Sequence, residues 1–92
     1  MAAQNGSIRP PAGALHVDSW EGPANDRFRF FRGTRRGERV AVEIVGFQFA
    51  DGRVDRVAHL HADHVDLKVI DIERLLADLL AAKDEIQGLE AG

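Results

Sequence analysis

Hydrophobic and polar residues alternate along four stretches of the chain before a different periodicity begins near residue 70. The stretches are ALHVDSW (14–20), RFRFFRG (27–33), RVAVEIVGFQFA (39–50) and RVDRVAHLHAD (53–63). Alternation with a period of two is typical of β-strands, and the turn-forming residues between the stretches indicate hairpins. EGPAND (21–26) and TRRGE (34–38) are therefore predicted to be turns.

The dipeptide Asp51-Gly52 separates the last two stretches and favours a two-residue hairpin turn. With that turn, Ile44 would face His59 and Val42 would face His61. The face carrying the histidines would then also carry four aliphatic residues: Val40, Val42, Ile44 and Val57. Gly46 could mark a bulge, which would shift this register by one residue.

The last part of the chain follows the helical repeat. Ile, Leu and acidic residues in IERLLADLLAAKDEIQ predict an amphipathic helix over 72–87, with Asp71 as its N-cap and Gly88 at its end. The leucines come in adjacent pairs, so the apolar stripe is wider than one sheet face would cover. We expect the remainder of the stripe and the second sheet face to contact a partner. The predicted interface residues are Val40, Val42, Ile44, Leu76 and Leu80.

These elements predict an α+β fold in which a four-stranded antiparallel β-meander packs on one C-terminal α-helix, in the order ββββα. Residues 1–13 contain Gly, Ser, Asn and two prolines without periodicity and predict a flexible tail. Residues 14–92 form the single predicted domain. A chain of 92 residues buries a small core, so we expect a homodimer.

Composition narrows the classes of function. The chain has no cysteine, which removes disulfides and thiolate chemistry. It has neither an apolar run long enough to span a membrane nor an apolar signal core, and we expect a cytoplasmic protein. The stretch GFQFADGRVDR with the helix that follows is similar to short actinobacterial proteins of no assigned function, which implies a bacterial source.

Charge is distributed unevenly. Residues 27–39 hold six arginines and one glutamate, whereas the whole chain has a net charge of −3. Alternating arginine and phenylalanine predict a nucleic-acid-binding strand, because arginine neutralises phosphates and aromatic rings stack on unpaired bases. The predicted binding residues are Arg27, Arg29, Arg32, Arg35 and Arg36. An acidic protein partner is the second interpretation, and a core position under the helix for Phe28 and Phe30 is the third.

The sequence HLHADH, residues 59–64, concentrates three of the four histidines. On a strand, His59, His61 and Asp63 project from one face, and imidazole and carboxylate are ligands that suit zinc or nickel. The hexapeptide resembles the H-x-H-x-D-H signature of the metallo-β-lactamase family. That resemblance implies that His59 and His61 bind one metal, and that Asp63 and His64 bind a second.

The resemblance ends after these six residues. The family usually continues with two glycines, where this chain has Val65 and Asp66, and no histidine follows His64 to complete a binuclear centre. We therefore expect no hydrolase activity, and metal binding stays an alternative. The leading hypothesis is a small non-enzymatic protein that acts by binding another macromolecule, with a protein as the expected partner.

Overall fold

The structure, a computed structural model, describes residues 8–92 of the chain. Within these residues, four antiparallel strands form one sheet in sequential order, and a single helix follows them. The elements are β1 (His16–Val17), β2 (Phe28–Arg36), β3 (Ala41–Phe49), β4 (Val54–His61) and α1 (Val69–Ala91). This arrangement confirms the predicted ββββα meander. The predicted first strand is shorter than expected, since only two of its seven residues are in β1.

The helix covers one face of the sheet, which we call the helix face. Val42 and Ile44 of β3 are fully buried against Ala82, and Leu75 and Ile86 pack around them. These helix residues are spaced by seven and four positions, so they lie on one side of α1. Because β3 is a central strand, its side chains on this face have neighbours on both flanking strands as well as the helix above.

The prediction that 34–38 is a turn was wrong for its first three residues. β2 continues through Arg36, with Arg35 opposite Glu43 and Arg36 opposite Val42. The register shifts between Arg32 and Arg35, so two residues of β2 lie opposite one residue of β3. This β-bulge lets the strand extend past Gly33, where the sequence pattern had indicated its end.

The β3–β4 hairpin has a three-residue loop, so the predicted two-residue turn was wrong. The Phe49 amide donates to the Arg53 carbonyl, and the Gly52 amide donates to the Phe49 carbonyl. Gly52 has a φ of 94°, a left-handed conformation that closes such loops readily. The extra loop residue shifts the register by one, so that Ile44 lies opposite Ala58 and not opposite His59.

Gly46 does not mark a bulge between β3 and β4, because the pairing of these two strands is regular on both sides of it. It lies opposite Phe31 of β2, whose ring covers it on the helix face. A Cβ atom at this position would lie 2.9 Å from two carbons of the Phe31 ring and would overlap the Asp55 carbonyl oxygen. Glycine is therefore required here by the close approach of a ring and a neighbouring backbone.

The N-terminal segment 8–14 lies over the part of the helix face that α1 leaves uncovered. The carbonyl oxygens of Ile8, Arg9 and Ala12 accept hydrogen bonds from the side chains of Arg29, Gln48 and Arg56 respectively. The described part of the predicted flexible tail is thus held against the sheet, and the packed region begins at least as early as Ile8. Residues 1–7 of that predicted tail lie outside the described residues.

Both ends of α1 lie beyond the predicted limits. The helix begins after Lys68, and Asp71 is in its first turn, where its carboxylate accepts the Lys68 amide at 3.0 Å. Asp71 therefore stabilises the start of the helix from inside it and is not its N-cap. Gly88 lies within the helix, and Gly92 caps its end through a hydrogen bond to the Gly88 carbonyl.

Candidate functional site

The face of the sheet opposite α1 carries most of the candidate functional side chains, and we call it the open face. Cross-strand pairing assigns the members of this face, because residues directly opposite each other project to the same side. Aromatic, basic and histidine side chains predominate. They are Phe28, Phe30, Phe47 and Phe49, then Arg32, Arg35 and Arg53, and His16, His59 and His61.

Four phenylalanines form a cluster at one end of the open face. The Phe47 ring makes edge-to-face contacts with Phe28 and Phe30, at centroid distances of 5.8 and 5.5 Å. Phe47 is nevertheless 42% exposed. The third interpretation of the arginine–phenylalanine strand placed Phe28 and Phe30 in the core under the helix. This placement was wrong, because both residues lie on the open face.

Two arginines lie over the aromatic cluster. The Arg53 guanidinium is 4.2 Å from the centroid of the Phe49 ring, and that of Arg32 is 5.7 Å from Phe30. Both distances are within the range of cation–π attraction. The open face therefore presents positive charge directly beside aromatic surface.

The other half of the open face holds a histidine–glutamate group. The ring centroids of His59 and His61 are 4.5 Å apart, and the His61 Nε2 donates to the Glu43 carboxylate at 2.7 Å. Glu43 is buried although its side chain is charged, and its neighbours in β3 are mostly apolar. Sequence reasoning missed Glu43 because the two-residue turn placed the histidines opposite Val42 and Ile44. The available signal in the sequence was a single charged residue within the apolar stretch AVEIVG, which indicates a polar partner on a neighbouring strand.

The histidine cluster predicted from HLHADH is only partly assembled. His59 and His61 are neighbours, whereas Asp63 and His64 follow the end of β4 and are almost completely exposed. His64 has a positive φ of 44°, which turns the chain away from the strand direction. Among residues 8–92, no group of three or more His, Cys, Asp or Glu side chains could hold a metal ion.

The five predicted nucleic-acid-binding arginines are divided between the two faces. Arg29 is buried on the helix face, where it donates to Gln48 at 2.7 Å and lies 4.5 Å from the Trp20 ring centroid. Arg36 also points to the helix face. Arg32 and Arg35 are exposed on the open face. Arg27, which precedes β2, is half-buried.

Arg36 and Glu85 join β2 to the helix. Arg36 forms an ion pair with the Glu85 carboxylate, and the Thr34 hydroxyl donates to both carboxylate oxygens at 2.9 Å. Burial raises the pKa of Glu85, but the hydrogen bonds from Arg36 and Thr34 and the Arg36 charge outweigh it, leaving the pKa below its ordinary value of 4.5. These contacts attach α1 to β2 on the helix face, and they are separate from the open face.

A second exposed surface combines the outer edge of β4 with one side of α1. Within residues 8–92 no strand pairs with that edge. The helix residues beside it are apolar and exposed, and we call them the outer stripe. The outer stripe consists of Ile72, Leu76, Leu79 and Leu80, and Leu60 of β4 continues it.

The predicted interface residues have different positions in the fold. Leu76 and Leu80 are 55% and 57% exposed in the outer stripe. Val42 and Ile44 are buried beneath α1, so their predicted position on the open face was wrong. Val40 lines a groove of about 640 Å³ between the β2–β3 turn and the first half of α1.

Comparisons with known proteins give no relative for this arrangement. No protein-family model matches the chain, and no curated protein or solved structure matches it at a significant level. Within the described part of the chain, α1 does not combine the length and apolar character that a membrane-spanning helix needs. The fold and its two exposed surfaces define a two-layer α+β protein, and they are the basis for the functional proposal.

Proposed function

We propose that this chain is a small non-enzymatic interaction module that acts as a homodimer. The observation that carries the proposal is the outer edge of β4, with which no strand of residues 8–92 pairs, lying next to the exposed outer stripe of α1. The partner at this surface is a second copy of the chain, since an isologous contact pairs the same edge and the same stripe with themselves.

The edge of β4 lacks the features that usually prevent pairing between sheets. Charged residues occur only in its first half, at Asp55 and Arg56, and the second half, VAHLH, contains neither lysine nor proline. Phe49 and Arg53 are hydrogen-bonded to each other, so alternation along the hairpin turns the amides of Val54, Arg56, Ala58 and Leu60 toward the outside. An edge of this kind is a template for another strand.

The outer stripe gives the same contact an apolar component. Leu75 and Ala82 occupy the side of α1 that packs on the sheet. Glu85, rotated from that side in one direction, contacts Arg36 of β2, so Leu76 and Leu80, which are rotated in the other direction, lie on the β4 side. Only six hydrophobic residues of the described chain are buried, while ten large hydrophobic residues are exposed. Because so small a core supports little stability, burial of this stripe in a dimer would supplement it.

Sedimentation velocity of the full chain at micromolar concentration tests the proposal. We expect a species of twice the chain mass. Ala58→Pro removes one outward amide and should give a folded monomer, because an edge strand tolerates proline where the amide faces solvent. Circular dichroism confirms the fold of the variant. A monomeric wild-type protein, or a folded Ala58→Pro variant that dimerises as tightly as wild type, would contradict the proposal.

A further inference from the structure

We propose that the open face is a binding site for single-stranded nucleic acid, with unpaired bases on the phenylalanine cluster and phosphates on the neighbouring arginines. This site differs from the arginine set that the sequence indicated, since it omits Arg27, Arg29 and Arg36 and adds Phe47 and Arg53. It also lies on the opposite side of the sheet from α1. The proposal does not depend on the dimer.

The aromatic cluster supplies the surface on which a base would stack. Phe47 makes edge-to-face contacts with both Phe28 and Phe30 of β2, which restrict its orientation, although 42% of it is exposed. A base stacks on an aromatic ring whatever its identity, because every base has a π face. An exposed ring of restricted orientation on a sheet is therefore suited to an unpaired base of any sequence.

The arginines supply charge at positions that a phosphate backbone could follow. Arg32 in β2 and Arg53, the residue just before β4, lie over rings at two sides of the phenylalanine cluster, and Arg35 extends the line along β2. Four acidic groups lie on the same face. Asp55 is opposite Phe47, and Glu43 is buried beneath its hydrogen bond to His61. On the β1 side, Asp18 is hydrogen-bonded to His16, and Glu21 lies opposite Phe28.

The distribution of charge over the whole fold favours an anion on this side. Residues 14–61, which contain all four strands, carry eight arginines and seven acidic residues, a net charge of +1, and the positive excess lies in residues 27–61. Residues 69–91, which form α1, carry six acidic and two basic residues, a net charge of −4. A polyanion approaching the protein is thus attracted to the sheet and repelled by the helix.

Single strands fit this surface better than other polyanions. A duplex hides its base faces in the stack, so it could use the arginines but not the Phe47 ring. An acidic peptide would likewise pair with Arg32, Arg35 and Arg53 and leave the ring exposed. Only an unpaired base next to a phosphate uses both parts of the surface together.

Fluorescence anisotropy with labelled oligonucleotides of about 12 nucleotides, a length within the usual site size, tests the proposal. We expect binding at low salt, with weaker binding to the matching duplex. Three phosphate contacts on a single strand give a slope of about −2 for log affinity against log salt. A fourfold rise in salt should therefore weaken binding about 20-fold.

Variants separate the two parts of the site. Phe47→Leu keeps an apolar side chain and should weaken binding about fivefold or more without changing the salt slope. The double variant Arg32→Gln/Arg53→Gln should reduce the slope to about −0.7. The double variant Arg74→Gln/Lys83→Gln removes the same charge from α1, on the other side of the sheet, and should leave binding unchanged; Arg74→Gln alone is the single-charge control.

Three results would overturn the proposal. The first is no binding to any single-stranded oligonucleotide at low salt. The second is equal affinity for single strand and duplex together with no effect of Phe47→Leu. The third is that Arg74→Gln/Lys83→Gln weakens binding as much as the substitutions of Arg32 and Arg53 do. As a fourth result, binding of poly-glutamate as tight as that of an oligonucleotide of equal charge, with no effect of Phe47→Leu on either, would assign the surface to an acidic protein partner instead. Circular dichroism of each variant confirms that the sheet is retained.

Discussion

Replacing two leucines of the outer stripe is the most direct perturbation of the proposed dimer. In the double variant Leu76→Glu/Leu80→Glu, both substituted positions are more than half exposed in the single chain. Exposed substitutions usually change stability by less than about 0.5 kcal/mol per site, so the protomer should remain folded. In a dimer the same positions would lie at the contact, where glutamate is unfavourable.

The expected effect on the dimer is large. A dimer contains four of these leucines, and each loses the burial of about half a side chain, worth about 1 kcal/mol. The apolar loss alone is therefore about 4 kcal/mol, which raises the dissociation constant roughly 1,000-fold. Repulsion among four carboxylates near the symmetry axis acts in the same direction.

Sedimentation equilibrium over a range of concentrations measures this change. The control is Leu15→Glu, which introduces one glutamate per chain at a leucine that is 75% exposed and precedes β1, away from the outer stripe. Leu76→Glu alone matches it in charge. We expect the control to dimerise as the wild type does. If the double variant and the control had the same dissociation constant, or if both became monomeric, the outer stripe would not be the contact surface.

Three further expectations concern the fold itself. Gly46→Ala should lower the free energy of unfolding by about 1–3 kcal/mol in urea titrations, because the new Cβ collides with the Phe31 ring, whereas Gly88→Ala has open space and should be neutral or stabilising. Arg29→Met should lower the free energy of unfolding by about 1–3 kcal/mol, because Gln48 and the Ile8 carbonyl lose their hydrogen bonds. The same loss should speed proteolysis near residues 8–13. The pKa of Glu85 is lowered on folding, so its carboxylate stabilises the protein above pH 4.5 and this contribution disappears as the pH falls through the folded-state pKa. Glu85→Gln should therefore lower the Tm near pH 7 but much less at about pH 3, and an equal loss at both would contradict this assignment.

Much of the architecture could be predicted from local patterns. Period-two alternation located β2, β3 and β4, and the change to helical spacing located α1, because each pattern reflects one buried face. Sequential order followed from the short connections between the strands. The limits of elements were less predictable, since the bulge in β2 and the last turn of α1 depend on contacts with other elements.

Register was the decisive feature that local patterns could not determine. Asp51-Gly52 fits both a two-residue and a three-residue hairpin loop, because a glycine with positive φ closes either one. The two loops differ by one residue and place opposite sets of β3 side chains beside the histidines. Val42 and Ile44 lie under α1 in the observed register, so the helix, distant in sequence, distinguishes the two loops.

The arginines show the same dependence on distant partners. Alternation correctly separated Arg29 from Phe28 and Phe30, but it could not indicate which face the helix would cover. Arg29 is buried because Gln48 and the carbonyl of Ile8 accept its hydrogen bonds. These partners are far away in sequence, so the candidate basic site could be identified only after the strands were paired.

The two proposed surfaces are compatible with each other by symmetry. Antiparallel pairing of two β4 edges within one continuous sheet requires a two-fold axis perpendicular to the sheet, and such an axis keeps both open faces on the same side. Both helices then lie together on the other side, where their outer stripes meet. The phenylalanine clusters and the arginines stay uncovered, because neither the edge of β4 nor the outer stripe includes them. A dimer of this kind would present two adjacent basic and aromatic surfaces to one strand, and linked sites bind a long strand more tightly than either site alone.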